Sequence, residues 1–350
     1  MILDNVGQIR TIDRSDTLSL MEKTPQRLSP PADASSTFGK PLDEPLNVVF
    51  GGVGGSGIVG DIISDYARDL VDVPVAVSRT IRVPRFLGRQ TLFVAISYSG
   101  ETQETLSMMT QAKARGAKIA MISSGGQLLS LAIEEGYPYL KVVQGLLPRI
   151  ALPELLAAAM YVMESAQLIK EAAKVLSAAS RSLSSQIDTL RPVVPSHINQ
   201  AKRMAQALVD KIPLLIGNEE NGSVLRRFKN ELNENSKMPA FYYTLPEGYH
   251  DDVEGLRTLR QLAAAQPIIL HSSDEVNGQK RNREKLQTLL ADLGFPSPLQ
   301  FEGVGPDRLS QLLTAIMFGD YVSVYLALLR GLDPSELTLI PRFRDLMRGA

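Results

Sequence analysis

Ser97-Tyr98-Ser99-Gly100-Glu101-Thr102 places three small hydroxyls and a glycine within six residues. Before it, Thr91-Leu92-Phe93-Val94-Ala95-Ile96 is short, apolar and partly β-branched, as a buried parallel strand requires. After it, Leu106, Met109 and Ala112 recur at helical spacing until Gly116. A strand that runs through hydroxyls into a helix start presents unsatisfied first-turn N–H groups, and the helix dipole there favours negative charge. The chemistry available is the holding of an anion such as phosphate. Taken alone, the hexapeptide fits an ordinary cap by Ser99 or Thr102 equally well. Two more Gly/Ser loops follow apolar runs: Gly51-Gly52-Val53-Gly54-Gly55-Ser56-Gly57 and Ser123-Ser124-Gly125-Gly126. The agreement of three loops weighs more than any one of them. The second half carries charged side chains instead: Arg226, Arg227, Lys229, Glu231, Glu234 and Lys237 in one helical stretch, then Glu247 and His250-Asp251-Asp252.

The elements that must position these loops alternate strand and helix. Strands are expected at 47–50, 73–78, 91–96, 118–123 and 139–143, with helices after the first, third and fourth. A parallel, doubly wound sheet with right-handed crossovers is the economical architecture, and ligands sit beyond the carboxyl ends of its strands. A dinucleotide fold would add an acidic residue about 20 residues after the glycine loop, at the end of a second strand, and none is evident. Residues 8–22 read as an amphipathic helix and 24–46, rich in Pro, Ser and Asp, as a surface excursion. Pro148-Arg149 precedes an Ala/Leu/Met-rich helix over 153–190; by itself Arg149 reads as a solvated helix-start arginine. The alternation resumes with strands at 212–217, 240–244, 267–270 and 299–302, helices at 222–236, 276–293 and 306–329, and a last turn at 342–346. The domain expectation is therefore 1–152, a linking helix 153–190, and 191–350.

Composition narrows the function classes. A chain of 350 residues can build two cores. Its net charge of −1 gives no electrostatic case for nucleic acid or an anionic membrane. With no cysteine, disulfides, thiolate catalysis and cysteine-ligated metals are excluded, and the three histidines (His197, His250, His271) are too scattered for a histidine metal cluster. The longest apolar stretch, Leu155 to Met163, is shorter than the roughly 20 residues of a membrane span. The N-terminal residues show no signal-peptide pattern, so a cytoplasmic location is expected. The same apolar stretch is expected to need cover from a second copy of the chain.

The order Gly52-Val53-Gly54-Gly55-Ser56, Ser97 to Thr102, Ser123 to Gly126, Pro148-Arg149, Lys229-Asn230-Glu231-Leu232-Asn233-Glu234-Asn235-Ser236-Lys237 and Gly319 to Ala327 resembles the bifunctional phosphoglucose/phosphomannose isomerases, a two-domain family of the sugar isomerase (SIS) superfamily. The likeness spans nearly the whole chain. It implies two SIS-type doubly wound, flavodoxin-like α/β domains and a metal-independent, cofactor-free isomerase. The implied reaction interconverts glucose 6-phosphate or mannose 6-phosphate with fructose 6-phosphate through a cis-enediolate. By the resemblance, the substrate phosphate lies on Gly55, Ser56, Ser97, Ser99 and Thr102. Glu234 matches the base between C1 and C2, His250 the ring-opening histidine supplied by the neighbouring subunit, and Arg149 the enediolate-stabilising arginine. A homodimer with a shared active site follows.

The residues also depart from the pattern. Asp251-Asp252 stand where relatives carry Asn-Glu, and Glu101 where many carry asparagine. Arg344 aligns with a lysine that reaches substrate, and it keeps the charge without the compact ammonium. Read without the family, Glu234 fits a solvated partner of Lys237, His250 a turn residue, and Tyr321 and Tyr325 packing residues. His271, at a strand's carboxyl end, competes for the histidine role. Two other functions fit the same residues: a sugar-phosphate sensor that lost turnover, and an isomerase of another phosphosugar.

Overall fold

The computed structural model describes residues 2–29, 44–262, 264–272 and 275–348. The chain forms two compact units: Lys23–Leu183 with Gly305–Leu312, and Met1–Glu22 with Ser184–Val304 and Leu313–Ala350. The units do not divide at the expected 152 and 190. The N-terminal residues group with the second unit, and most of the expected linking region with the first.

In the first unit, β1 (Asn47–Gly51), β2 (Val75–Ser78), β3 (Thr91–Ile96), β4 (Lys118–Ser123) and β5 (Tyr139–Lys141) form a sheet in the order β2-β1-β3-β4-β5. Every pair is parallel. This is the flavodoxin-like order, whose topological switch falls between β1 and β3. All six residues of β3 are buried, which its unbroken apolar run demands of a strand covered on both faces. Val49, Phe93 and Met121 pack with Leu106, Met108, Met109 and Ala112 from the helix Gln103–Ala114. Each large side chain buried this way contributes about 1.5–3 kcal/mol.

The Ala/Leu/Met-rich region is two helices, Leu152–Ser165 and Ala172–Leu190, where one is expected over 153–190. Gln167 and Glu171 take left-handed φ values of +62° and +54° between them, which no continuous helix allows. Glu164 Oε1 then accepts from the Ala172 N–H at 2.9 Å and so meets an open donor of the second helix. Leu152–Ser165 packs on the helix Gly54–Ala67 and on β4. Leu155, Leu156, Met160, Val162 and Met163 are fully buried. An all-round apolar helix belongs in a core. The expectation that this stretch needs a partner chain is thereby corrected.

In the second unit, β6 (Ile212–Asn218), β7 (Phe241–Leu245), β8 (Ala265–His271) and β9 (Leu299–Glu302) form a parallel sheet in the order β7-β6-β8-β9. Leu214, Ile216, Tyr243 and Ile269 of the sheet meet Leu256, Leu286 and Leu290 from the helices Asp252–Leu262 and Asn277–Asp292. Arg308–Leu329 is the one helix among the described residues long and apolar enough to cross a membrane, and its apolar window is 94% buried within the protein. Tyr321 and Tyr325 on it are fully buried packing residues. At the N-terminal end, the expected single helix over 8–22 is two, Val6–Ile12 and Thr17–Glu22. The Asp13 carboxylate interrupts them by accepting from the Thr17 and Leu18 N–H groups at 2.8 and 3.0 Å. Of the surface excursion, Thr24–Arg27 is helical and residues 30–43 lie outside the described residues. Leu339–Arg348 forms a full helix where a last turn is expected.

Candidate active site

Ser97 is the first residue beyond β3, and its N–H still bonds the Ile122 carbonyl at 3.1 Å. The chain then turns tightly, because the Gly100 N–H donates to both the carbonyl and the Oγ of Ser97, each at 3.1 Å. Gly100 takes φ +73°, and a Cβ there would stand 1.9 Å from the Gly125 carbonyl oxygen, so only glycine fits. Thr102 occupies the N-cap of Gln103–Ala114, yet its side chain makes no capping bond. Instead it accepts from Ser97 Oγ at 2.9 Å. Ser99 is exposed, and its Oγ accepts from the Glu101 N–H at 3.2 Å. The ordinary-cap reading of the hexapeptide therefore does not describe these hydroxyls.

Across the switch point the helix Gly54–Ala67 begins inside the expected glycine loop, so Gly54 to Gly57 are its first turn. Its N-cap, Val53, supplies no side-chain acceptor, and its first turn carries no acid. The dipole at this end is not neutralised by a carboxylate of its own helix. Ser56 Oγ accepts from the Tyr98 N–H at 3.2 Å and ties the two loops together. A Cβ on Gly55 would lie 3.3 Å from the Pro148 carbonyl oxygen and 3.7 Å from Arg149 Cα. The bare backbone of Gly55 thus lets Arg149 approach, and Arg149 is 4% exposed, not solvated. Gly55, Ser56, Ser97, Ser99, Thr102 and Arg149 are gathered in one unit, at two helix starts beside the switch point. Such a site suits a phosphate.

The third loop braces the 97–102 loop. Glu101 Oε1 accepts from the Gln127 N–H at 2.9 Å, so its carboxylate occupies the start of the helix Gly126–Glu135. Ser124 Oγ donates to the Tyr98 carbonyl at 2.6 Å, and Ser123 Oγ to the Gly125 carbonyl at 2.8 Å. The Tyr98 hydroxyl donates to the Val143 carbonyl at 3.0 Å and accepts from the Leu146 N–H at 2.8 Å, which anchors the segment leading to Arg149. Burial pushes the pKa of that phenol up, so it stays a donor.

The second unit holds Glu234, His250 and Arg344 on three elements. Glu234 is the last residue of the helix Gly222–Glu234 and is half-buried. Beneath it lies an ionic cluster that sequence reasoning missed. Arg227, 2% exposed, bonds Glu231 Oε1 through Nη1 at 2.8 Å and grips Asp320 through Nε and Nη2 at 3.1 and 3.0 Å. Burial works against the guanidinium charge. Asp320, then Glu231, outweigh it and hold the pKa of Arg227 above the ordinary arginine value, with a smaller contribution from Glu234. The available signal was Asp320 itself, the only acid in the 22-residue apolar helix Arg308–Leu329. A charge so placed requires a buried partner.

His250 follows a short turn, Glu247–Tyr249, and is exposed. Gly248 fixes that turn flat on the ring of Tyr243, since a Cβ would meet the ring carbon Cδ2 at 2.4 Å. Burial raises the carboxyl pKa of Asp252, with adjacent Asp251 adding to the shift. His271 ends β8 as expected and faces Glu302, the last residue of β9, with Nδ1 3.4 Å from Oε2. Arg344 lies on the exposed helix Leu339–Arg348. Lys237 Nζ donates to the carbonyls of Asn235 and Asp333 at 3.1 and 3.0 Å. Among the described residues no three His, Asp or Glu side chains are grouped to hold a metal ion.

Two parallel sheets with a phosphate-type loop define the class, a double-SIS α/β protein. Residues 42–128 match the SIS domain model, and residues 197–347 match the model described as the bacterial phospho-glucose isomerase C-terminal SIS domain. A glucose-6-phosphate isomerase like protein from Thermus thermophilus shares the fold at TM-score 0.67 and 15% identity, with 99% of each chain covered. The C-terminal domain of the glucosamine-fructose-6-phosphate aminotransferase of Francisella tularensis does so at TM-score 0.65 and 15% identity, over 91% of this chain and 97% of that one. The bifunctional phosphoglucose/phosphomannose isomerase of Caldicellulosiruptor bescii is 33% identical over 84% of this chain and 87% of its own. The chain belongs to the family of bifunctional phosphoglucose/phosphomannose isomerases. Its relatives include the D-glucosamine-6-phosphate 4-epimerase of Sulfolobus acidocaldarius, 27% identical over 85% of this chain and 88% of its own.

Proposed function

We propose that the protein interconverts glucose 6-phosphate and mannose 6-phosphate with fructose 6-phosphate. The observation that carries this reading is the pair of helix starts beside the β1/β3 switch, lined by Ser56, Ser97, Ser99 and Thr102. Phosphate binding there leaves the sugar carbons for side-chain chemistry. His250 opens the ring by moving a proton between O1 and O5. Glu234 takes the C2 proton of the open aldose, giving a cis-enediolate; the proton on O2 passes to O1, and Glu234 returns a proton to C1 to complete the ketose. Arg149 offsets the negative charge that develops on the enediolate oxygens. Arg344 supplies a second cation to the substrate.

A coupled assay of the purified protein on both hexose 6-phosphates tests the reading, with glucosamine 6-phosphate as the competing substrate suggested by the epimerase relative. Absence of turnover on both hexose phosphates, with binding retained, would favour the sensor function. Ser99→Ala combined with Thr102→Ala is expected to weaken sugar-phosphate binding by about 3 kcal/mol, near 1.5 kcal/mol for each charge-assisted bond lost. That is roughly a 10²-fold rise in Kd by calorimetry. Unchanged affinity would move the phosphate elsewhere.

A homodimer sharing the site belongs to the same proposal. Its support is the exposed stripe Leu339, Phe343, Leu346 and Met347 on the helix Leu339–Arg348, which a second copy would cover. Sedimentation is expected to show a dimer at micromolar concentration. A fully active monomer there would remove this part of the reading.

A further inference from the structure

A helix end is a poor place to hold a catalytic carboxylate still, because its last carbonyls lack intrahelical partners and the final turn frays. The end at Glu234 is fastened with unusual care. Ser236 Oγ donates to the Leu232 carbonyl at 2.6 Å, and Arg330 Nη1 donates to the Ser236 carbonyl at 2.8 Å. Asn235, peptide-bonded to Glu234, works differently, through its side chain. It is 3% exposed, and its Nδ2 donates to Glu231 Oε2 at 3.0 Å and to Ser323 Oγ at 2.9 Å. Ser323 in turn donates to the Asp320 carbonyl at 2.7 Å. Through Glu231 and Arg227 on one side and Ser323 on the other, Asn235 is joined twice to Asp320. A carboxylate can only accept, so the Asn235 amide has one workable orientation against Glu231. The helix carrying Asp320 is itself held close, since Gly319 leaves no room for a Cβ against the Phe228 ring, 2.8 Å away.

We propose that Asn235 is a positioning residue for the isomerisation. By locking the residue after Glu234 to Glu231 and Ser323, it holds the Glu234 carboxylate on the line of proton transfer. The proposal rests on the reading of Glu234 as base. It requires an amide at 235: a shorter side chain releases the helix end, and an acid sets two carboxylates face to face.

The test compares turnover, KM and thermal stability of the full-length protein and its variants on glucose 6-phosphate. Asn235→Ala is expected to lower kcat by about 10- to 10²-fold with KM within about threefold, the split a misplaced base produces. Asn235→Asp is expected to be at least as slow. Adding Glu231→Gln to Asn235→Asp places an amide donor opposite the new carboxylate at the same net charge, and should recover about tenfold in kcat. A clamp that serves stability alone would lower the melting temperature and leave kcat per folded molecule at the wild-type value, and that result overturns the proposal, as does failure of the rescue. If Asn235→Ala does not fold, Ser323→Ala removes one of the two anchors, and an unchanged kcat there overturns it equally. Glu234→Gln in the same assay separates the two claims. An inactive Glu234→Gln beside a wild-type kcat in Asn235→Ala defeats the positioning role alone. A fully active Glu234→Gln defeats the base assignment and the positioning role with it.

Discussion

Glu234→Gln is expected to lower turnover by about 10²–10⁴-fold while leaving KM nearly unchanged, the range for loss of a general base. The substitution keeps the shape of the side chain and most of its hydrogen bonding, so the missing function is proton transfer. The same variant should fail to exchange solvent deuterium into product, because exchange needs the carboxylate to pick up the C2 proton and lose it to water. By spacing alone, Glu231, one turn earlier, would serve as the benign control. Its environment makes it a different kind of control. Glu231 is 2% exposed and pairs with Arg227 and Asn235. Glu231→Gln is therefore expected to lower the melting temperature, which half-buried Glu234→Gln should leave nearly unchanged. If Glu231→Gln abolishes turnover at full stability and Glu234→Gln does not, the alignment is one helical turn out of register. If neither affects turnover, a carboxylate base is the wrong mechanism for this protein.

What could be read from the sequence was what local pattern encodes. β3, β4 and β9 stand at the expected residues, because short apolar runs between turn residues leave little choice of boundary. The strand–turn–helix geometry of residues 97–102 was legible for the same reason: hydroxyls, glycine and helix start are contiguous in the chain. Pairings across long separations were not legible. Arg227 and Asp320 are 93 residues apart, and nothing local to either identifies the other. Glu101 looked like a substitution in a binding loop, and its role at the start of the next helix became visible only once Gln127 lay beside it. The error over Leu155 to Met163 has another origin. All-round apolarity shows that a helix is covered, without showing by what, and here the cover comes from the first unit's own helix and strand. The break at Gln167 escaped notice because neither Gln167 nor Glu171 is a residue that usually adopts a left-handed conformation.

Arg227→Met is expected to destabilise the protein by about 3–5 kcal/mol, the cost of leaving buried carboxylates without their cation. For a unit of this size that corresponds to a fall in melting temperature of roughly 10 °C. The magnitude follows from charge count more than from lost contacts. Glu231 and Asp320 both face the Arg227 guanidinium, so removing it takes the shared cation from two buried carboxylates at once. Methionine fills much of the volume, which keeps the cavity contribution small. Arg227→Lys should fall between, since an ammonium keeps the charge but cannot grip Asp320 with two parallel donors while reaching Glu231. The decisive variant is the triple one: adding Glu231→Gln and Asp320→Asn to Arg227→Met removes the uncompensated charge and should recover most of the lost stability. If the triple variant is as unstable as Arg227→Met, the cluster holds this unit by its shape and hydrogen bonds, and the electrostatic account of it is wrong. If Arg227→Met itself melts within about 2 °C of the wild type, the carboxylates are taking up protons, and its stability should then fall as pH rises, because the protonated carboxyls must give up their protons.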